Sequence, residues 1–293
     1  MKVFITGGSG RIGSAVIAEL LRHGHAVVAI ARSDASADVL GRAGAQVVRG
    51  ALADLDVLRA GASEADGVIH LAFGHDFSSA EAVARSVAEE SAALATLGQA
   101  LVGTDRPLVT VSGTPPVPGR ASTEFDQLPV QGPVGGRSLS VLSVLDLASQ
   151  GVRATAVRLP RTVHNDGDGG FAGLLVQMAR ANGVVGYPGD GSQRWPAVHT
   201  LDAAALFRLA LEQGPAGSVW HAVADEGDAV RDIAEVIGRR LGLAVESRPA
   251  EAFGPLGAVF ALDQPSSSAH TRKTLGWTPS HPSLLDDLEN IER

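Results

Sequence analysis

The sequence predicts an α/β fold, a doubly wound parallel sheet with a smaller C-terminal substrate domain. Three observations predict it. Short runs rich in Val and Ile alternate with Ala- and Leu-rich stretches of helical period. The Val/Ile runs are apolar almost throughout, as strands covered by helices on both faces are. A glycine-rich turn joins the first such run to the first helical stretch. At 293 residues the chain has room for one large domain or two modest ones. A chain of this size buries about three-quarters of its unfolded surface, so its stability requires neither metal nor disulfide.

The elements follow in order. "KVFIT" is the first strand, "RIGSAVIAELLRHG" the first helix and "AVVAIA" the second strand; "GVIHLAF", "LVTVSG" and "RATAVRL" read as later strands. The stretch 78–102 is the clearest helix: Ser78 and Glu81 form a capping box, and Val83, Val87, Leu94, Leu97 and Leu101 recur at helical spacing. Pro115, Pro116, Pro118, Pro129 and Pro133 crowd the stretch 113–136, which predicts a long loop, functional or disordered. "HNDGDGG" (164–170) reads as the hinge or tip of a lid. A Rossmann-type sheet is expected from 1–160 plus 196–224 and a substrate domain from 161–195 plus 225–275, with 276–293 as a C-terminal segment. Ligands are expected at the C-terminal edge of the sheet, between the two.

Composition excludes several classes. Without cysteine there is no disulfide, thiolate metal site or cysteine nucleophile. A net charge of −8 argues against a nucleic-acid partner. No apolar run approaches the roughly 18 to 20 residues that span a bilayer, and no charged-then-apolar leader precedes "KVFIT", so a soluble, cytoplasmic monomer or homodimer with no membrane partner is expected. No metal site is expected either. His23 and His25 flank a turn, and Asp166, Asp168 and Gly170 are out of phase for a calcium loop, with Gln177 at its closing position. "GGRSLS" misses the hydrolase nucleophile elbow, because Ser140 replaces its last glycine.

In "VFITGGSGRIG", Gly8, Gly10 and Gly13 have G-x-G-x-x-G spacing, and Gly7, Gly10 and Gly13 also fit T-G-x-x-G-x-x-G. Such a turn, with Arg11 and Ile12 opening the helix, brings backbone N–H groups and a helix N-terminus to a pyrophosphate. The carboxylate that would hold an NAD ribose at the end of the second strand is replaced by Ala31, followed by Arg32 and Ser33. An arginine and a hydroxyl suit a 2′-phosphate, and Arg11 adds a second cation, so the expected cofactor is NADP(H).

These motifs, in this order, resemble the extended and atypical short-chain dehydrogenases/reductases of the epimerase/dehydratase branch, and the resemblance runs nearly end to end. It adds "RGALADLDVL", with Ala51 where the family has an adenine-contacting Asp and Leu52 in place. It also implies that "VIHLAF" ends beside the nicotinamide ribose, making Leu71, Ala72 and Phe73 cofactor contacts, and that "VTVSGTPPVPG" carries Ser112 at the cofactor and Thr114 at the catalytic Ser/Thr position. By the same resemblance, Pro160 and Val163 of "GVRATAVRLPRTVHN" pass near the carboxamide. His75, Tyr187, Arg194 and Trp195 are substrate-side candidates; the last three flank "GDGSQRWP", which resembles the family's substrate wall.

The family's Tyr-x-x-x-Lys pair is missing. "GGRSL" stands where "YGxSK" is expected, with Gly135 and Leu139 in place of Tyr and Lys and Ser138 kept. No realignment supplies the pair: the only tyrosine is Tyr187, and the lysines are Lys2 and Lys273. Two function classes follow. One is an NADPH-dependent ketoreductase of a bulky aromatic ketone, with Thr114 orienting the carbonyl, Gly135 making room for the rings, and the proton coming from water, Thr114 or a hydroxyl of the substrate. The chain resembles ketoreductases of aromatic polyketide antibiotic pathways in lacking the pair. The other is a non-catalytic NADP(H) sensor of the same fold. Sugar-nucleotide dehydratase or epimerase chemistry is a third and weaker choice, because in the family it leans on the missing Tyr.

Overall fold

A computed structural model describes residues 1–74, 76, 78–132 and 135–292. The chain runs β1 (Lys2–Thr6), α1 (Arg11–Arg22), β2 (Ala26–Ala31), α2 (Asp34–Arg42), β3 (Gln46–Arg49), α3 (Leu55–Glu64), β4 (Gly67–His70), α4 (Ala80–Gln99) and β5 (Pro107–Gly113). It continues through α5 (Gly135–Asp146), β6 (Arg153–Leu159), β7 (Thr162–His164), α6 (Gly170–Asn182), β8 (Val184–Pro188), β9 (Arg194–His199), α7 (Thr200–Gln213) and β10 (Ser218–His221). The last elements are β11 (Asp225–Ala229), α8 (Val230–Leu241), β12 (Ala244–Arg248), α9 (Gly257–Phe260), α10 (Ala269–Leu275) and α11 (Leu284–Leu288).

Seven strands form the main sheet in the order β10-β6-β5-β4-β1-β2-β3. Val3 lies opposite Val27 and Ile5 opposite Ile69 in parallel register, so the strand order reverses at β1, the switch point where open α/β sheets bind ligands. The fully buried runs of β1 and β4 explain the absence of polar alternation: Phe4 and Val68 pack against Leu58 of α3 and Leu94, Leu97 and Leu101 of the α4 segment. The expected doubly wound sheet is the one observed.

The chain divides into two compact units, each described by itself. The first comprises 1–112, 127–158 and 204–220; the second comprises 113–126, 159–203 and 221–293. The second holds a three-stranded sheet, β11-β9-β7, and a two-stranded one, β12-β8. Its core gathers Trp195, Val230, Ile233, Ile237, Phe253, Phe260, Leu284, Leu288 and Ile291. Two segments stand apart from the boundaries read from sequence. The proline-rich stretch joins the second unit through Thr114 N–H, which donates to the Leu159 carbonyl at 2.9 Å, and through a 2.9 Å Ser122–Ser266 hydroxyl bond. The stretch 276–293 is no appendage: Trp277 Nε1 donates to the Asp202 carbonyl at 2.9 Å, and His164 Nδ1 meets the Asp287 carboxylate at 2.8 Å.

Two local expectations are corrected. Helix α4 is capped by Ser79, whose hydroxyl accepts from Ala82 N–H at 3.1 Å, because the Ser78 hydroxyl turns to Asp76 instead. Strand β4 ends at His70 rather than running to Phe73: the Leu71 N–H still reaches the Thr6 carbonyl at 3.2 Å, but the Ala72 N–H turns to the Thr6 hydroxyl at 3.3 Å. Among the described residues no helix is long and apolar enough to cross a membrane.

Candidate functional site

In the first unit, the glycines of the β1–α1 turn are required by contact. Gly7 has φ +72°, and a Cβ there would stand 2.7 Å from the Ala72 nitrogen. A Cβ on Gly13 would lie 2.2 Å from the Gly7 carbonyl, so only glycine lets α1 start this close to the strand. Gly8 instead faces the side chains of Ile17 and Leu40, which makes Gly7, Gly10 and Gly13 the working triplet. Gly10 caps α1 without a side-chain bond, and no acidic residue lies in the first turn, so no carboxylate of the turn opposes an anion at this helix N-terminus. This turn, in which Gly7 and Gly13 leave no room for a Cβ, fits a dinucleotide pyrophosphate.

Around the turn, Thr6 Oγ1 accepts from two backbone amides and meets His70 Nδ1 at 2.9 Å, so its single hydrogen goes to the imidazole. Burial, helped by the nearby Arg137 charge, lowers the His70 pKa to about 3. His70 is a neutral anchor for the end of β4. Ala31 is buried, and Arg32 beyond it is exposed with no hydrogen bond or ion pair among the described residues. The Ser33 hydroxyl is engaged in a capping box with Ser36, so its first duty is to α2. Leu52 packs at the edge of the first core, and the Ser112 hydroxyl is buried without a partner among the described residues.

Helix α5 departs most from expectation. At Gly135 a Cβ would stand 2.3 Å from the Val130 carbonyl oxygen. The volume a side chain gives up is therefore filled by backbone, and the expected room for substrate rings is not found at this position. Leu139 is 52% exposed. Between them, Arg137 donates from Nε and Nη2 to the two carboxylate oxygens of Glu90, both at 2.8 Å, and lies 4.0 Å above the Phe73 ring. Glu90 is almost wholly buried; desolvation raises its pKa, and Arg137 opposes that rise.

In the second unit, Thr114 is 4% exposed. Gln264 Nε2 donates to its carbonyl oxygen and, at 3.4 Å, to its hydroxyl oxygen. With Oγ1 already accepting, the hydroxyl hydrogen is left for an outside acceptor. Pro160 and Val163 are buried in the stretch after β6, and Arg161 lies between them. The substrate-side set is dispersed. Trp195 is fully buried against Phe171 and Phe260, so it is a core residue and not part of a wall that a ligand touches. Arg194 is spent on Asp263 through bonds of 3.1 and 2.8 Å at the surface. Tyr187 packs at the edge of the second core, with Arg231 5.5 Å from its ring. His75 lies outside the described residues. No cluster of His, Asp or Glu among the described residues could hold a metal ion.

Glu90, Arg137, Arg161 and Gln264 were missed by the sequence reading. Glu90 was legible: it falls between Val87 and Leu94 on the apolar stripe of α4, where a carboxylate demands a partner. Gln264 and Arg161 carry no comparable signal.

A family model described as "NAD dependent epimerase/dehydratase family" matches residues 3–222. An uncharacterized protein of Schizosaccharomyces pombe is 44% identical over 294 residues, covering 98% of each chain. The 4-hydroxy-2-methyl-3-oxo-4-farnesyl-3,4-dihydroquinoline-1-oxide ketoreductase of Stigmatella aurantiaca is 26% identical over 234 residues, covering 75% of this chain and 67% of that one. Among solved structures, the UDP-glucose 4-epimerase of Thermotoga maritima with UDP-glucose superposes with a TM-score of 0.80 at 20% identity, covering 99% of this chain and 97% of that one, a likeness of fold.

Proposed function

This chain belongs to the NAD-dependent epimerase/dehydratase family, and on that premise we propose that it is an NADPH-dependent ketoreductase of bulky aromatic, polyketide-type ketones that works without a tyrosine–lysine pair. The observation that carries the reading is Thr114, a buried hydroxyl whose oxygen already accepts from Gln264 and whose hydrogen is free to hold a carbonyl oxygen. Reduced nicotinamide, when bound, supplies the hydride. Gly7, Gly10 and Gly13 would cradle its pyrophosphate, and Arg32, with no partner of its own among the described residues, suits a 2′-phosphate.

Positioned acid catalysis is worth about 10²- to 10⁴-fold, so a chain that orients the ketone but lacks the acid remains an enzyme. A phenol beside the carbonyl of the substrate, or water, then delivers the proton. The ketoreductase relative named for a 3-oxo-dihydroquinoline supports a ketone carried on a ring system.

The test is NADPH consumption with polycyclic aromatic ketones, half of them bearing a phenol beside the carbonyl. Turnover confined to the phenolic half supports both the reductase and the substrate as proton source. Turnover of both halves keeps the reductase and assigns the proton to water or Thr114. Tight NADPH binding with no turnover replaces the proposal with the sensor reading.

A further inference from the structure

Arg161 is a buried cation without an anion. The residue is 8% exposed, its Nε is sealed from solvent, and no acceptor or carboxylate partner for its guanidinium is found among the described residues. Its guanidinium lies 5.2 Å from the ring of Phe171, near the start of α6. Burial lowers its pKa to about 10, which leaves it charged at neutral pH.

An unpaired buried charge is strongly unfavourable, whereas a carboxylate pairs with a guanidinium through two parallel hydrogen bonds. The chain fixes the backbone that carries this side chain regardless. Phe171 N–H donates to the Arg161 carbonyl at 3.3 Å, and Gly170, at φ +56°, lets the start of α6 press against Thr162 where any Cβ would come within 2.6 Å. Two residues before Arg161, the Leu159 carbonyl receives the Thr114 amide at 2.9 Å. The unpaired cation and the carbonyl-orienting hydroxyl are thus anchored on one short stretch of the second unit.

We infer that Arg161 receives a carboxylate of the substrate, which narrows the substrate class to aromatic keto acids. The inference rests on the ketoreductase reading for its chemistry, but its binding step can be measured without turnover.

The experiment compares benzoylformate and 2-benzoylbenzoate, which place the carboxylate near and one ring away from the ketone, with their methyl esters. Wild type, Arg161→Leu and Arg161→Lys are assayed with NADPH, and binding of each acid in the presence of NADP+ is followed by calorimetry. The expected result is a wild-type preference for an acid over its ester that falls roughly 10- to 100-fold in Arg161→Leu, with partial recovery in Arg161→Lys and no change for the esters. Should Arg161→Leu fail to fold, Arg161→Lys alone still reads the loss of paired geometry, as a smaller fall for the acids only. Acid binding that needs Arg161, seen without turnover, keeps the carboxylate site while the ketoreductase reading falls. Equal losses for acids and esters, a loss of NADPH affinity of the same size, or no acid binding to wild type overturns the inference.

Discussion

Arg137 grips Glu90 with two parallel hydrogen bonds of 2.8 Å, one from Nε and one from Nη2, inside the helix pair α4–α5. The arrangement sits in the helix that, in the family this chain resembles, carries the tyrosine and lysine. Its guanidinium also covers Phe73, so one cation ties α4, α5 and the segment after β4 together.

Removing that cation leaves a buried carboxylate alone. Arg137→Met should cost about 2 to 3 kcal/mol, less than a fully buried pair because the arginine is 27% exposed. Without Arg137, Glu90 binds its proton more tightly in the fold than in the unfolded chain. The deficit is therefore largest at high pH and shrinks as pH falls and the carboxylate takes up its proton. Urea melts of both proteins at pH 5, 6.5 and 8 give the comparison; a deficit independent of pH would contradict it.

Reinstalling the missing pair should not help. Gly135→Tyr drives a Cβ into the Val130 backbone, so even Gly135→Ala should lose about 1 to 3 kcal/mol, while Leu139→Lys on the exposed side is near neutral. The double variant is expected to melt lower and to reduce no ketone faster than wild type.

Arg32 offers a cofactor test. Arg32→Ala should raise the KM for NADPH roughly 10- to 100-fold, the size of a charge-assisted bond, and leave NADH unaffected. Equal changes for both cofactors would remove Arg32 from the 2′-phosphate.

Thr114→Val should lower kcat about 100-fold by removing the donor to the carbonyl, with KM for NADPH unchanged. Gln264→Leu should lower it about 10-fold, since the hydroxyl survives but loses its orientation. A Gln264 variant worse than the Thr114 variant would place the chemistry elsewhere.

In the second unit, burial first and then the charges of Asp225, Asp232 and Asp286 raise the pKa of Asp228 to about 6. A carboxyl that holds its proton more tightly when folded stabilises below its unfolded pKa, near 4, and loses that contribution as pH climbs through 6. Asp228→Asn should therefore gain up to about 2 kcal/mol at pH 7.5 and nothing at pH 4, as thermal melts at the two pH values would record.

The sheet was legible because its signals are local. The apolar runs of β1 and β4 show in the sequence of each strand itself, and Gly13 is forced by the Gly7 carbonyl six residues before it. Strand ends were less so: just past β4 the Ala72 N–H turns to the hydroxyl of Thr6, far earlier in the chain. Trp195 was misread for the same reason. An aromatic beside a glycine turn looks like a pocket wall until Phe260, distant in sequence, is seen to claim it. Gly135 was misread because a missing side chain suggests space, and only the path of Val130 shows that the space is used.

The chain path through the second unit also sets an order of assembly during synthesis. The last piece of the first unit is 204–220, so that unit can close while the ribosome is still adding residues. The second unit must wait, because Leu284, Leu288 and Ile291 fill its core and Asp287 holds His164. Until residues 284–291 emerge, that core stands open with its apolar face bare. A chain cut before Leu284 would thus spare the sheet and its glycine turn, yet leave a nascent chain that chaperones must hold.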